Sequence, residues 1–277
     1  MSDTALWVAM YRAIEAERPD ALFRDPYARR LAGDRGAQIL GSVPKAWSFA
    51  WSMIVRTAVM NEIILRLAEQ GTRTIINLAA GLDARAYWLT LPSTLRWFDV
   101  DLPGMIAYRR ERLGEAEAVC IHEDVAADLL EEAVLRGVLA RADGDDGPAL
   151  ILTEGLLVYL TPAQVTMLGR AAHDQPVIRW WLTDLGSPLL LQMLKRTWQP
   201  HLEAANAPMQ FAPAEGTAFF EPLGWREAEF HSTWIESMRL GRSMPFAQFT
   251  HWLGRFRRAE VREAYLRMSG MVLLERT

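Results

Sequence analysis

The chain has 277 residues, of which 51% are hydrophobic and 23% are charged, and its formal net charge is -4 at pH 7. This composition is typical of a globular protein with a large buried core, and it excludes a fibrous or disordered chain. Because 30 Lys and Arg residues stand against 34 Asp and Glu residues, no dominant positive field exists to attract a nucleic acid. At roughly 150 residues per domain, the length allows one large α/β domain or two small ones.

The cysteine content and the N-terminal sequence favour a cytoplasmic protein without a membrane anchor. Cys120 is the only cysteine, so an internal disulfide cannot form, which fits a reducing compartment. The first residues lack a basic region ahead of their apolar stretch, which argues against a secretory signal. No span is long and apolar enough to predict a membrane helix.

Residues 1–70 are predicted to form a helical cap with a lead-in helix. Apolar positions recur at helical spacing in residues 5–17 and again in residues 45–70. Between these two stretches, prolines and Gly41 interrupt the pattern.

From Thr74 onward, short apolar runs alternate with stretches of helical spacing. The runs predict strands at 74–81, 95–100, 118–122, 149–153 and 177–185. The stretches between them predict helices at 83–91, 104–113, 127–141 and from Thr161-Pro162 onward. Such an alternation predicts a mostly parallel sheet with helices on both faces. We interpret residues 74–185 as the core of a single α/β domain that spans residues 1–277.

Beyond residue 185 the pattern loosens. Residues 186–224 contain five prolines and several aromatic residues, which indicates an insertion that covers a cleft. Residues 225–277 are expected to complete the sheet, with strand-like runs at 226–232 and 271–277 and a helix near 245–258.

The informative motif is a strand, a turn of small residues, a helix and a second strand that ends in an acid. Asp101 lies 20 residues after Gly81, the interval at which such an acid reaches the ribose hydroxyls of a nucleotide. A dinucleotide would require a glycine-rich turn, but Asp83 places a carboxylate where a pyrophosphate would lie. S-adenosylmethionine has no phosphate and carries a cationic sulfonium, so the motif favours this methyl donor over NAD.

Six segments, in this order, resemble the leucine carboxyl methyltransferase family, including bacterial carboxyl O-methyltransferases that act on polyketide-like acids. They are RPDALFRDPYA, Arg56, NLAAGLDAR, WFDVDLP, the Asp124-Val125 pair and LTEGLLVYLTP. The resemblance runs from about Val8 to Thr161. It implies the class I methyltransferase fold, a Rossmann-like, mostly parallel seven-stranded sheet with a helical cap and an insertion after the fifth strand.

The resemblance also implies which residues hold the methionine part and the ribose of S-adenosylmethionine. Arg56 is expected to pair with the methionine carboxylate, and Glu154 is expected to lie near the same end. Asp101 is expected to accept from the ribose hydroxyls. A guanidinium that grips a carboxylate in a fork and a carboxylate that accepts from two hydroxyls are both chemically sound arrangements.

Four further positions are implied around the turn and the adenine. Ala79 and Gly81 line the turn, while Asp124 and Val125 meet the adenine through a carboxylate and a backbone amide. The chain departs from the family at Ala79, where glycine is usual and an added methyl would crowd the cofactor. The family also usually has leucine, not valine, after the acid.

The predicted chemistry is methyl transfer to an oxygen, in line with the departing thioether. An acceptor carboxylate, whose ordinary pKa is about 4.3, is ionised at neutral pH and needs no general base. Catalysis then depends on positioning and on keeping water out. Arg12 and Arg24 in the cap are candidates to hold the acceptor carboxylate, and Tyr159 is a candidate to hydrogen-bond near the methyl group.

Other acceptors and another class of function remain open from the sequence. A phenol, a hydroxyl or a protein C-terminal carboxylate would serve as the oxygen. A non-catalytic binding protein on the same fold is the further alternative, and Ala79 favours it. Trp47, Trp51, Trp198 and Trp225 either line an apolar acceptor pocket or only pack the lids.

No metal site is expected. His122, Glu123 and Asp124 are adjacent, but neighbouring residues on a strand point in different directions.

Overall fold

The computed structural model describes residues 3–42, 46–144, 147–204, 208–244, 247–254 and 258–277. The strands are β1 (Thr74–Leu78), β2 (Arg96–Asp101), β3 (Ile121–Ala126), β4 (Ala149–Thr153), β5 (Ile178–Gly186), β6 (Trp225–Ser232) and β7 (Ser269–Arg276). The helices before β5 are α1 (Asp3–Ala16), α2 (Ala28–Ser42), α3 (Ala46–Glu69), α4 (Arg85–Trp88), α5 (Pro103–Leu113), α6 (Glu132–Leu139) and α7 (Pro162–His173). Those after β5 are α8 (Pro188–Ala204), α9 (Thr233–Arg239), α10 (Ala247–Gly254) and α11 (Ala259–Leu266).

The strands form one seven-stranded sheet in the order β3-β2-β1-β4-β5-β7-β6. The pairs from β3 across to β5 are parallel, and β7 is antiparallel to both of its neighbours. The predicted fold class, a mostly parallel seven-stranded sheet, is therefore confirmed. The strand order reverses at β1, which has β2 on one side and β4 on the other, and ligands of open parallel sheets bind at such a switch point.

Alternate side chains of the buried strands feed two separate cores. Ile76 of β1 packs with α6 and α7 on one face, whereas Ile75 packs with α3 on the other. Both side chains are fully buried, as expected for strands covered on both faces. A third apolar cluster joins α1 and α2 to α3 and α5 and forms the core of the N-terminal cap.

The third strand lies further along the chain than predicted. The apolar run at 118–122 suggested a buried strand, but β3 spans Ile121–Ala126. This strand lies at the edge of the sheet and alternates between exposed and covered positions. An edge strand need not be continuously apolar, so the prediction based on an apolar run was wrong by three residues at its start.

Several helices also differ from the prediction. The helix expected at 83–91 is limited to the four residues of α4, because the chain is already extended at Leu89. α2 was not predicted, since Pro19, Pro26 and Gly41 interrupt the helical pattern between residues 17 and 45. The carboxylate of Asp25 accepts hydrogen bonds from the N–H groups of Tyr27 and Ala28, both at 3.0 Å, and so supports the start of α2.

Residues 186–224 contain more regular structure than a proline-rich loop. Pro188 occupies the first position of α8, which runs for 17 residues. The helix predicted near 245–258 corresponds to α10. No helix in the described parts of the chain has both the length and the apolar character needed to cross a membrane.

A buried ion pair fastens the segment after α9 to the cap. Glu15 of α1 is fully buried, and its carboxylate accepts from the Nη2 of Arg242 at 2.8 Å. The two residues are 227 positions apart, so the ion pair holds the segment after α9 against α1.

Candidate functional site

A cavity of about 710 Å³ lies at the carboxyl ends of β1, β2, β4 and β5. The helices α1, α3 and α8 and the segment 209–212 supply much of the rest of its wall, and residues of α9, α11 and β7 also line it. The cavity opens at the switch point of the sheet, where the strand order leaves a crevice.

The turn after β1 brings the backbone close to this cavity. Ala79 has φ 54°, and it is the only residue other than glycine with positive φ in the described parts of the chain. Gly81 has φ 55°, and the N–H of Ala80 donates to the carbonyl of Val100 at 3.0 Å. An alanine in the left-handed region costs roughly 1 kcal/mol, so the turn holds strain at the wall of the cavity.

Asp101 ends β2 directly beside this turn. Its Oδ2 accepts from the N–H of Gly81 and its Oδ1 from the N–H of Leu102, both at 2.7 Å. Burial raises the pKa of Asp101, while these two amides act in the opposite direction. The carboxylate lines the cavity and each of its oxygens retains lone-pair capacity for a further donor.

Arg56 lies on α3 and pairs with two acids, one just after β4 and one near the end of β5. Its Nε donates to Glu154 at 3.0 Å and its Nη1 to Asp184 at 3.1 Å. The Nη2 has no hydrogen-bond partner among the described residues. Gly155 allows this close approach, because a Cβ at that position would lie 3.1 Å from the Nη1 of Arg56.

Asp184 was not singled out from the sequence, although it lines the cavity and fixes the loop after β4. Its Oδ1 accepts from the N–H of Gly155 at 2.6 Å while its Oδ2 holds Arg56. The available signal was an acid near the end of a predicted strand, the same signal that identified Asp101.

A second arginine completes the charge network. Arg85 donates to Asp83 at 2.6 Å and pairs with Glu154 at 2.8 Å. Burial alone would raise the pKa of Glu154, but Arg85 and Arg56 outweigh it and lower that pKa to about 2. Glu154 is therefore a carboxylate at neutral pH, with both oxygens engaged.

The charged side chains of the described cavity wall are four carboxylates and three guanidinium groups. They are Asp83, Asp101, Glu154, Asp184, Arg12, Arg56 and Arg85. The excess of negative charge suits a cationic ligand.

The three acceptor-binding candidates are placed differently. Arg12 lines the cavity, where its Nε pairs with Asp25 at 3.0 Å and its Nη2 donates to the carbonyl of Leu82. Tyr159 also lines the cavity, and burial raises the pKa of its hydroxyl. Arg24 is exposed, and it donates instead to the carbonyl groups at the end of α1 and in the following loop.

Asp124 and Val125 lie away from the cavity wall. Val125 is buried in the core formed with α6 and α7. The carboxylate of Asp124 is engaged by Arg109 and by Arg110, the latter at 2.7 Å.

The same region brings Asp99, His122 and Asp124 within metal-ligand distance of one another. The guanidinium of Arg109 lies among them and pairs with Asp99 at 2.6 Å and with Asp124. A buried cation already compensates these acids, so the arrangement is that of an ion-pair cluster.

The carboxyl end of β3 approaches Asp101 through the backbone. The N–H of Ala127 donates to the carbonyl of Asp101 at 2.9 Å. Asp128 follows, is exposed, and accepts from the N–H of Leu130 at 3.0 Å. Asp128 is followed by Leu129, whereas Asp124 is followed by Val125.

Of the four tryptophans considered for an acceptor pocket, Trp51 lines the cavity. Trp225 is fully buried in the core beside Trp181, with ring centroids 5.7 Å apart. The side chains of Trp47 and Trp198 lie outside the described residues.

Comparisons with known proteins identify the family of this chain. The family model for leucine carboxyl methyltransferase matches residues 5–172. A protein of Streptomyces coelicolor called "Putative S-adenosyl-L-methionine-dependent methyltransferase" is 32% identical over 256 residues, which cover 87% of this chain and 88% of that protein. One of the same description from Frankia alni is 35% identical over 242 residues, 82% of this chain and 83% of that protein.

Two solved structures share the fold. A DUF574 family protein from Streptomyces avermitilis aligns with a TM-score of 0.61 at 14% identity and covers 97% of both chains. A structure described as a "putative methyltransferase" from Thermobifida fusca aligns with a TM-score of 0.58 at 16% identity, covering 97% of this chain and 94% of that one. The family model and the two sequence relatives confirm both the family resemblance and the methyl donor predicted from the sequence. The chain belongs to the leucine carboxyl methyltransferase family of S-adenosyl-L-methionine-dependent methyltransferases.

Proposed function

We propose that this protein transfers the methyl group of S-adenosylmethionine to a carboxylate oxygen of a small-molecule acid. The names of its relatives support the methyl donor. The carboxylate specificity and the placement of the donor are our own inference from the cavity.

The residues of the strand ends fit this donor. Asp101, which keeps lone pairs free beside a turn of small residues, would accept from the ribose hydroxyls. Arg56 would hold the methionine carboxylate with the Nη2 that Glu154 and Asp184 leave unused. We place the adenine beside Asp128, since Asp124 is already neutralised by two arginines. The donor supplies an activated methyl group on a sulfonium, and the acidic excess of the wall suits its positive charge.

The observation that carries the carboxylate assignment is the lack of a general base. No histidine or lysine lies in the described part of the cavity wall. Among the acids there, Glu154 and Asp184 are paired with Arg56, Asp83 is paired with Arg85, and Asp101 is bonded to backbone amides. A phenol or alcohol acceptor would have to lose a proton, whereas a carboxylate with an ordinary pKa of about 4.3 is already ionised.

The chain's own task is then to position the acceptor and exclude water. Arg12 contributes a cation at the cavity wall, and we assign it the acceptor carboxylate, with Tyr159 as a hydrogen-bond donor nearby. α1 and α8 supply side chains that cover the cavity beyond the strand ends. A nucleophile held in place and stripped of water reacts faster than one in solution.

Incubation with S-adenosylmethionine carrying a labelled methyl group and a panel of carboxylic acids, phenols and C-terminal peptides tests the proposal. We expect base-labile methyl esters from small carboxylic acids. Exclusive labelling of phenols or peptides would transfer the activity to those acceptors. Tight binding of S-adenosylhomocysteine without any transfer across the panel would favour a non-catalytic protein.

A further inference from the structure

We propose that the acceptor is a predominantly apolar monocarboxylate whose body lies against the inner face of α8. This inference rests on the proposed function, because it takes the strand-end part of the cavity to be the donor site. It names the chemistry of the substrate from the wall that the donor does not use.

The cavity wall has a charged part and a larger apolar part. The carboxylates and the guanidinium groups of Arg56 and Arg85 lie at the strand ends. Apart from Arg12 and Arg56, the elements α1, α3, α8 and the segment 209–212 contribute mainly leucine, methionine and aromatic side chains to the wall. A ligand that fills both parts would therefore combine a charged group with an apolar body.

α8 has an apolar face that the protein itself leaves incompletely covered. Leu190, Leu191 and Leu194 fall at helical spacing and all three line the cavity, where they are only half-buried. Leu189 lies off this face and is 58% exposed. Because a leucine gains roughly 1.5–3 kcal/mol on full burial, an apolar ligand against this face recovers a contact that folding leaves unmade.

Aromatic and methionine side chains of other elements line the cavity together with the leucines of α8. Trp7 of α1 and Phe49 and Met53 of α3 line the wall there. Met209 and Phe211 close the end near Tyr159, and both are buried. Flexible methionine side chains accommodate irregular apolar ligands, while the rings offer flat surfaces to an aromatic one.

The partly exposed side chains of the cavity wall are also mainly apolar. Three of these side chains are Met193 of α8, which is 49% exposed, Met244, which is 43% exposed, and Tyr265 of α11, which is 40% exposed. A long apolar acid would therefore remain in contact with apolar side chains as far as the opening.

The cavity is poorly suited to acids with a second charge. Its three guanidinium groups already pair with carboxylates, and no lysine adds to them in the described wall. A second carboxylate placed against α8 would lose its hydration without a cationic partner, which is costly. A peptide would likewise leave backbone amides without hydrogen-bond partners among these side chains.

Calorimetric titration of acids into protein saturated with S-adenosylhomocysteine tests this without requiring turnover. Propanoate, hexanoate and decanoate form a graded series, and glutarate is a short dianion for comparison. We expect affinity to rise about fourfold for each methylene that becomes buried, and glutarate to bind more weakly than hexanoate. Affinity that does not change along the series, or tighter binding of glutarate, overturns the inference.

Variants of α8 locate the ligand. Leu194→Trp should fill the apolar end and weaken decanoate at least tenfold while propanoate and S-adenosylhomocysteine bind as before. Leu189→Trp, at a position of the same helix that does not line the cavity, is the matched control and should leave all three affinities unchanged. Equal effects of the two variants on decanoate contradict the placement. If the wild-type protein does not bind S-adenosylhomocysteine, the proposed function itself is wrong. Failure of the proposed function and failure of this inference are therefore distinguishable.

Discussion

The carboxylate of Asp101 and the backbone N–H of Gly81 are joined by a 2.7 Å hydrogen bond that spans 20 positions of the chain. This bond fixes the acid at the end of β2 against the turn after β1. Both residues line the cavity, so the bond sets the distance between the wall that would meet the ribose and the wall that would meet the methionine part.

Replacement of Asp101 by alanine should weaken S-adenosylhomocysteine binding at least tenfold. Hydrogen bonds to a charged group contribute about 1.5–3 kcal/mol each, and the ribose would lose its acceptor. Calorimetry measures the affinity. Asp101→Asn, which keeps an oxygen for Gly81, should fold equally well and lose less affinity. Unchanged binding by the alanine variant would show that the ribose lies elsewhere.

Ala79→Gly should stabilise the folded protein by about 1 kcal/mol, because glycine adopts the left-handed conformation without a Cβ penalty. For a chain of this size we expect a Tm increase of about 2 °C. Ala80→Gly is the control: Ala80 has no positive φ, so the same change should lower the Tm. If both variants are destabilised, the strain at Ala79 is not what limits stability.

The pKa of Glu154, about 2 in the folded chain against an ordinary 4.5, predicts an acid-sensitive stability. The unfolded chain binds the proton more readily, so the stabilisation is complete above about pH 4.5 and is lost as the pH falls toward 2. Between pH 6 and pH 3 the wild type should lose about 2 kcal/mol more of unfolding free energy than Glu154→Gln. Urea unfolding at the two pH values provides the measurement. Glu132→Gln, at the exposed start of α6, should behave as the wild type. Parallel losses in wild type and Glu154→Gln would contradict the lowered pKa.

Arg12→Met should raise the KM for the carboxylic acid about tenfold or more, since a charge-assisted contact is lost at the cavity wall. Asp25 keeps the N–H groups of Tyr27 and Ala28 as partners, so S-adenosylhomocysteine binding serves as a check on folding. Arg24→Met removes an exposed cation that contacts only backbone carbonyls and should leave KM unchanged. The opposite ranking of the two variants would assign the acceptor to Arg24.

The rate of methyl transfer should be independent of pH between about 6 and 9. The acceptor carboxylate is ionised throughout this range, and the mechanism uses no titrating base. Initial rates at saturating S-adenosylmethionine give the profile. A limb that rises with pH toward a value near 10 would instead indicate a phenolic acceptor.

The sequence predicted those parts of the fold and site that depend on short-range pattern. The buried strands β1, β2, β4 and β5 carry apolar runs, and the 20-residue interval between Gly81 and Asp101 is visible in the chain. The start of β3 was predicted wrongly because an edge strand alternates polar and apolar residues. Asp184 could not be connected to Arg56, since the two lie 128 positions apart and meet only through the sheet order. Arg12 and Arg24 could not be told apart without knowing which face of the cap borders the cavity.

The pairing of Arg56 with both Glu154 and Asp184 has a consequence for exchanges of segments between this protein and its homologues. One gripping acid, Glu154, lies inside the stretch 5–172 that matches the family, whereas the other, Asp184, lies beyond it, on the strand that leads directly into α8. A substitution in β5 or α8 that displaces Asp184 should therefore also displace Arg56, which we propose as the residue that holds the methyl donor. We therefore expect that exchanging β5 and α8 with those of a homologue changes the affinity for the methyl donor together with the acceptor preference.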